Sequence, residues 1–254
     1  MFAFRDARGV VDVAFTDRHG GVSQGSFSSL NLAESGADDM AAVGENIRRV
    51  TEAFTGTPPG QRPAPVVARM HQVHGADVEI VDATFLNSLS QPALGSPPAS
   101  DGLVSTTAGV VLMVRVADCV PLLLADVATG VVGAVHAGRP GMVAGIVPAT
   151  VWRMRSVGAQ EIVAWVGPHV CGSCYEVPDS MRAEVAAIVP QAYSETSWGT
   201  PALDVGAGVR AQLVAEGVDV IDAARCTIED ADLFSHRRQG AGSGRLAGLV
   251  WLRP

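Results

Sequence analysis

Three apolar runs follow one another closely in the middle of the chain, Val110–Val116, Pro121–Ala125 and Val131–Val135, and each is short, valine-rich and bounded by Gly, Pro or Asp. Runs of this length and β-branched content read as buried strands. The same signature recurs at Val10–Phe15, Pro65–Met70, Val78–Val81, Glu161–Val166 and Leu246–Leu252. Helix-like segments fall between them, at Asp39–Phe54 behind an acidic start, Met142–Val157, Asp179–Val189 and Val205–Glu216. Strands cluster centrally and helices are unevenly spaced, so the pattern predicts an α+β fold of mixed sheets with interleaved helices, and not a regular βαβ series. Thr55–Pro65 and Asn87–Ser100, rich in Pro, Gly, Ser and Gln, read as surface loops. Neither separates stretches of differing composition and there is no internal repeat, so the 254 residues are expected to form a single domain, 1–254.

Charge narrows the partners. With 18 basic residues against 26 acidic ones the chain carries a formal charge of -8, which argues against a nucleic-acid binder, because neutralising phosphates needs a basic face. All 18 basic residues are arginine. The absence of lysine excludes Schiff-base chemistry on lysine, pyridoxal-phosphate attachment and a P-loop lysine. An anionic ligand must be held by guanidinium groups, backbone N–H groups or a metal. The most apolar stretch, Val110 to Val135, is interrupted by Arg115, Asp118 and Asp126, and Met1-Phe2-Ala3-Phe4-Arg5-Asp6 reaches charge too early for a leader. A soluble, cytoplasmic protein that does not enter a membrane is expected. Four cysteines are too few for a disulfide scaffold, which leaves metal binding, catalysis or inert burial.

Six histidines and four cysteines supply the metal-binding and nucleophilic inventory. His74 lies in His71-Gln72-Val73-His74-Gly75, just past one strand run. Cys119 lies in Ala117-Asp118-Cys119-Val120-Pro121, where one run stops and the next begins, and His136 closes a third run. Strand ends deliver side chains to a cleft, and two imidazoles with one thiolate make a three-ligand zinc site whose fourth position stays open for water. The same residues also read as a buried small hydrophobe with satisfied histidines. Cys171-Gly172-Ser173-Cys174 could be half a zinc ribbon or a redox pair. It lacks a second Cys-x-x-Cys, and no histidine is followed two residues later by Glu as in zinc deaminases, so it reads as a structural turn with a non-metal thiol pair. Arg237 and Arg238, followed by a Gly/Ser loop, suit an oxyanion such as phosphate or form a solvated basic loop. His19, beside Gly20-Gly21, reads as an exposed loop residue.

Taken in order, Arg18-His19-Gly20-Gly21-Val22-Ser23, Ser29-Leu30-Asn31-Leu32, Gln72-Val73-His74-Gly75, Ser100-Asp101-Gly102-Leu103-Val104, Ala117-Asp118-Cys119-Val120-Pro121, His136-Ala137-Gly138, Gly167-Pro168, Cys174-Tyr175-Glu176-Val177, Cys226-Thr227 and Phe234-Ser235-His236-Arg237-Arg238 resemble the YfiH-like family. That family is named for a multicopper polyphenol oxidase (laccase) domain and is associated with purine nucleoside phosphorylase activity. The resemblance implies an α+β fold and a metal and catalytic triad at His74, Cys119 and His136. It implies phosphorolysis of adenosine, inosine, guanosine or methylthioadenosine, with adenosine deamination at the same zinc centre. Arg237 and Arg238 are the phosphate candidates. The chain departs from the family where His-Ala-Gly-Trp-Arg-Gly becomes His136-Ala137-Gly138-Arg139-Pro140-Gly141, which bears on substrate preference. Cys171 stands where glycine is usual and Ser173 where a cysteine is usual, which fits positions that hold no metal.

Two rival readings use the same three residues. Two imidazoles, a thiolate and an axial Met are also a blue-copper set, so copper is the alternative metal and a laccase-like polyphenol oxidase the alternative enzyme, although six histidines are few for the further coppers that oxygen reduction needs. A metal-free Cys119 nucleophile with His136 or His74 as base would make a hydrolase or deamidase, and the resemblance adds cell-wall precursors, to which some relatives are linked, as its substrate class.

Overall fold

The valine-rich runs become strands. In chain order the computed structural model, which describes residues 1–34, 37–60, 64–89 and 97–254, runs β1 (Phe2–Arg8), β2 (Val11–Thr16), α1 (Met40–Thr55), β3 (Val66–Ala68), β4 (Val78–Ile80), α2 (Ala83–Leu89), β5 (Gly102–Ser105), β6 (Val110–Val116), β7 (Val120–Asp126), β8 (Val131–Ala137), α3 (Arg139–Ala144), α4 (Ile146–Ser156), β9 (Val163–Val166), α5 (Asp179–Ile188), β10 (Tyr193–Glu195), β11 (Pro201–Leu203), α6 (Val205–Ala215), β12 (Asp219–Asp222), α7 (His236–Gln239) and β13 (Leu246–Leu252).

Two mixed sheets result, in the orders β1-β2-β13-β6-β3 and β12-β9-β7-β8-β5-β4, with β10 and β11 as a separate ribbon. They pack face to face. Val13, Phe15, Leu112, Val114 and Val250 of the first sheet meet Leu103, Leu123, Ala134 and Trp165 of the second in one buried cluster. The outer face of the first sheet is covered by α1, through Val50 and Phe54 against Val111, Met113 and Leu249. The outer face of the second is covered by α3 to α6, through Met142, Ile146, Val151, Val185 and Val209 against Leu122, Leu124, Val135 and Ala164. The fold is therefore α+β, in helix–sheet–sheet–helix layers. Strands β7 and β8 are buried at every residue, which is why their sequences are continuously apolar and do not alternate.

Local chemistry sets the boundaries. Asp39 caps α1 by accepting from the Ala41 N–H, and Gly56 closes it in the left-handed region. The single helix expected over Met142–Val157 is two: Gly145, at φ 86, ends α3 and starts α4. The expected loop Asn87–Ser100 begins as the end of α2; its residues 90–96, and residues 61–63 of the expected loop Thr55–Pro65, lie outside the described residues. Among the described residues no helix is long and apolar enough to cross a membrane.

Candidate metal and active site

Strand register assembles the site. β7 and β8 pair antiparallel with Pro121 opposite His136, so Cys119, just ahead of β7, lies beside the end of β8. β5 pairs with β8 on its other edge, Gly102 opposite Val135, which sets Asp101 against His136. His74 arrives from the segment between β3 and β4. Residues 45 and 17 positions from Cys119 thus meet it: the Cys119 Sγ to His74 Nε2 distance is 3.8 Å, and the two imidazole rings are edge-on with centroids 4.7 Å apart. One donor atom from each of His74, Cys119 and His136 lies within 4.8 Å of the others. Tetrahedral zinc places sulfur and nitrogen ligands about 3.5 Å apart, so this donor set fits a divalent ion after shifts of about 1 Å.

Asp101, whose part the sequence alone does not reveal, contacts both histidines. It is fully buried, and its Oδ1 sits 2.7 Å from His136 Nδ1 and 3.0 Å from the His74 N–H. Its Oδ2 accepts from the Gly75 N–H at 2.6 Å and the Val73 N–H at 3.2 Å. Asp101 is placed to accept from Nδ1–H, so in its neutral form His136 turns the lone pair of Nε2 to the site. The backbone clamp holds His74 at φ 62, in the left-handed region that few non-glycine residues adopt. Asp118 is similarly held, at φ 84, by Thr227 Oγ1 and the Arg237 N–H on its carboxylate, both at 2.6 Å, and by the Val170 N–H on its carbonyl. Gly138 lets the three side chains close in: a Cβ there would lie 2.7 Å from the His74 ring and 3.2 Å from Cys119 Sγ.

The electrostatics match. Burial alone would raise the Cys119 thiol, but contacts with His136 and His74 bring it down to about 6. Burial alone would lower His136, but Asp101 and Cys119 raise it to about 9. The metal-free cluster therefore favours a thiolate beside an imidazolium.

A cavity of about 370 Å³ opens over the cluster, with His71, Gln72, Arg115, Arg245 and His236 in its walls. A smaller one of about 150 Å³ shares Ala117, Cys119 and His236 with it and is lined by Asp118, Arg139, Tyr175 and Arg237. Arg139 has no hydrogen-bond or ion-pair partner among the described residues, whereas Arg115 is tied to Glu34 and the Met70 carbonyl. Arg237 lies over the Tyr175 ring and donates to the Glu176 carbonyl. Arg238 lines neither cavity; its guanidinium donates to the carbonyls of Ile228, Asp230 and Leu233. His19 is an exposed partner of Asp232. No sequence signal pointed to Arg115 or Arg245; the sequence marked Arg139 only as a departure. The Cys171–Cys174 turn is not isolated: Cys226 and Glu229 lie beside it, with one donor atom from each of the four within 4.8 Å of the rest.

Paired sheets thus bring two imidazoles and a thiolate, a donor set able to hold a metal ion, to an open, arginine-walled cavity in an α+β fold. Residues 12–253 match the family described as multi-copper polyphenol oxidoreductase laccase, and the chain belongs to that family. A purine nucleoside phosphorylase of Streptomyces coelicolor is 50% identical over 255 residues, spanning 99% of this chain and 100% of that protein. The crystal structure of YlmD from Geobacillus stearothermophilus has a TM-score of 0.85 at 33% identity and covers 100% of this chain and 99% of its own. YfiH of Bacillus licheniformis has a TM-score of 0.84 at 25% identity, covering 96% and 93%.

Proposed function

We propose that the chain is a zinc-assisted purine nucleoside phosphorylase that cleaves adenosine, inosine, guanosine or methylthioadenosine with phosphate, and that it also deaminates adenosine. The observation that carries this reading is the convergence of His74, Cys119 and His136 on one open face next to a guanidinium-lined cavity. The names of relatives such as the Streptomyces coelicolor protein support the reaction class.

The larger cavity takes the nucleoside, its volume lying within the ordinary range for small-molecule sites. The smaller takes phosphate, held by Arg139 and Arg237, with Arg238 bracing the loop that carries Arg237. A phosphate oxygen so placed attacks the anomeric carbon of the ribose as the glycosidic electron pair leaves with the purine. His236, in the wall of both cavities, stands where a proton reaches the departing base. His74, Cys119 and His136 would hold a zinc ion, which would supply Lewis acidity toward the purine in either reaction. Asp101 keeps His136 in the ligating tautomer. The test is base release from inosine and adenosine by metal-replete protein: phosphate-dependent release with formation of ribose 1-phosphate supports the reading, and no release with or without phosphate overturns it.

One observation favours a second reading, a metal-free Cys119 nucleophile in a hydrolase of cell-wall precursors: the thiolate–imidazolium pair with Asp101 behind it resembles an activated nucleophile. Alkylation of Cys119 that zinc leaves unchanged supports it; protection by zinc supports coordination. Copper is the alternative metal, and the family's description is its support. Among the described residues, however, no further histidine joins the metal-ligand cluster.

A further inference from the structure

We infer that Cys171, Cys174, Cys226 and Glu229 form a second divalent-metal site, closed and structural, of the kind that takes zinc. The sequence reads Cys171 and Cys174 as a pair without partners; the sheet supplies them. β12 runs parallel to β9 with Asp222 opposite Val166, and the two chains continue side by side past their ends. His169 bridges to Cys226, the His169 N–H donates to the Arg225 carbonyl, and the Thr227 N–H donates to the His169 carbonyl. Cys226 is thereby fixed beside the turn that follows Val170. Within that turn the N–H groups of Cys174 and Tyr175 both donate to the Cys171 carbonyl at 3.1 Å, folding the two thiols toward one side. A matching turn, closed by the Asp230 N–H on the Cys226 carbonyl, returns Glu229 to the cluster.

The donor atoms of all four residues lie within 4.8 Å of one another, and Cys174 Sγ is 3.3 Å from Glu229 Oε1. Zinc bound at about 2.3 Å to sulfur and about 2.0 Å to oxygen has tetrahedral edges of about 3.5–3.8 Å, so the cluster is close to the required size without an ion. Cys174 is buried, Cys171 and Cys226 are half-buried and Glu229 is exposed. Four protein ligands leave no open position, which marks a structural site, in contrast to the three-donor site at Cys119.

The location gives the ion its role. Val170 precedes Cys171 and Thr227 follows Cys226, and these two grip Asp118 from either side, Val170 through its N–H and Thr227 through its hydroxyl. An ion joining the two turns staples together the segments that hold Asp118 at φ 84 and so present Cys119 to the cavity.

The experiment is metal counting on protein purified under reducing conditions, saturated with zinc sulfate and then desalted, for the native chain, Cys119→Ala and Cys226→Ser. The site predicts about two zinc ions per native chain and about one in each variant. Because Cys226→Ser could fail to fold, zinc X-ray absorption on the native chain gives an independent reading: about two sulfur ligands per zinc on average, against about one if only the Cys119 site fills. A native count of one with a single sulfur overturns the inference, as does a Cys171–Cys174 disulfide in the protein as isolated. The outcome does not depend on the phosphorylase reading, since neither measurement uses turnover.

Discussion

Replacing Asp101 by Asn changes almost no shape and tests whether one buried carboxylate sets up both histidines. Its Oδ1 serves His136 Nδ1 and the His74 N–H, and its Oδ2 serves the Val73 and Gly75 N–H groups. An amide has one oxygen, so either orientation turns its NH₂ against two donors. With the NH₂ on the Oδ2 side, Val73 and Gly75 lose their acceptor. With it on the Oδ1 side, His74 loses its acceptor and His136 must accept at Nδ1, which moves the ring proton to Nε2 and removes the lone pair that would bind the proposed metal. Hydrogen bonds to a charged group contribute about 1.5–3 kcal/mol each, so losing two costs about 3–6 kcal/mol. For a domain of this size that lowers the melting temperature by roughly 10 °C. Zinc affinity falls about 10- to 100-fold, as for other partners of metal-ligating imidazoles. Thermal unfolding of the metal-free protein and competition against a chromophoric chelator read the two effects separately. A variant that melts within about 2 °C of the native chain and binds zinc within about threefold would refute the role given to Asp101.

Other outcomes follow from the same geometry. Gly138→Ala, whose added methyl lies 2.7 Å from the His74 ring, weakens zinc binding about tenfold or more at a cost of about 1–3 kcal/mol, read by the same competition and melting assays. Asp126 is buried, which by itself raises its pKa, but the N–H groups of Gln160, Thr129 and Glu161 outweigh this and hold it below the ordinary carboxylate value. Its contribution is therefore complete above about pH 5 and is lost as pH falls through about 3.9 toward the lower folded value. Asp126→Asn should be less stable by about 2–4 kcal/mol at pH 7 in urea titrations, and the gap should narrow toward pH 3. Arg139→Ala raises the phosphate KM about 10- to 100-fold in the phosphorolysis assay, whereas Arg238→Ala, which removes donors from three backbone carbonyls, lowers stability by about 1–3 kcal/mol and raises the phosphate KM less than Arg139→Ala does.

The sequence made the strands legible because burial on both faces writes itself as unbroken valine and leucine, as in β7 and β8. It obscured elements whose residues do not carry that signal: β1, with Arg5, Asp6 and Arg8 in its length, and the short β12 with Asp at both ends. Gly145 split a helix that apolar periodicity ran together, because the periodicity continues across a residue whose backbone reverses. At the site, positions at run ends left His74, Cys119 and His136 open between metal binding and inert burial, the family resemblance selected them, and strand register brings them together. Asp101 escaped notice since its partners are mostly backbone N–H groups of a distant turn, which sequence does not display. Cys226 and Glu229 escaped for a related reason: the parallel pairing of β12 with β9 that carries them to the Cys171 turn joins segments far apart in the chain.

The claim on which the functional reading turns is that the imidazoles of His74 and His136 and the thiolate of Cys119 share one ion with an open face. A zinc-edge anomalous difference map of crystals grown with zinc tests it most directly. The expected result is a peak about 2.0–2.1 Å from the two histidine nitrogens and about 2.3 Å from Cys119 Sγ, its fourth position facing the 370 Å³ cavity. Density absent from that point, or bound by only one of the three side chains, would contradict it.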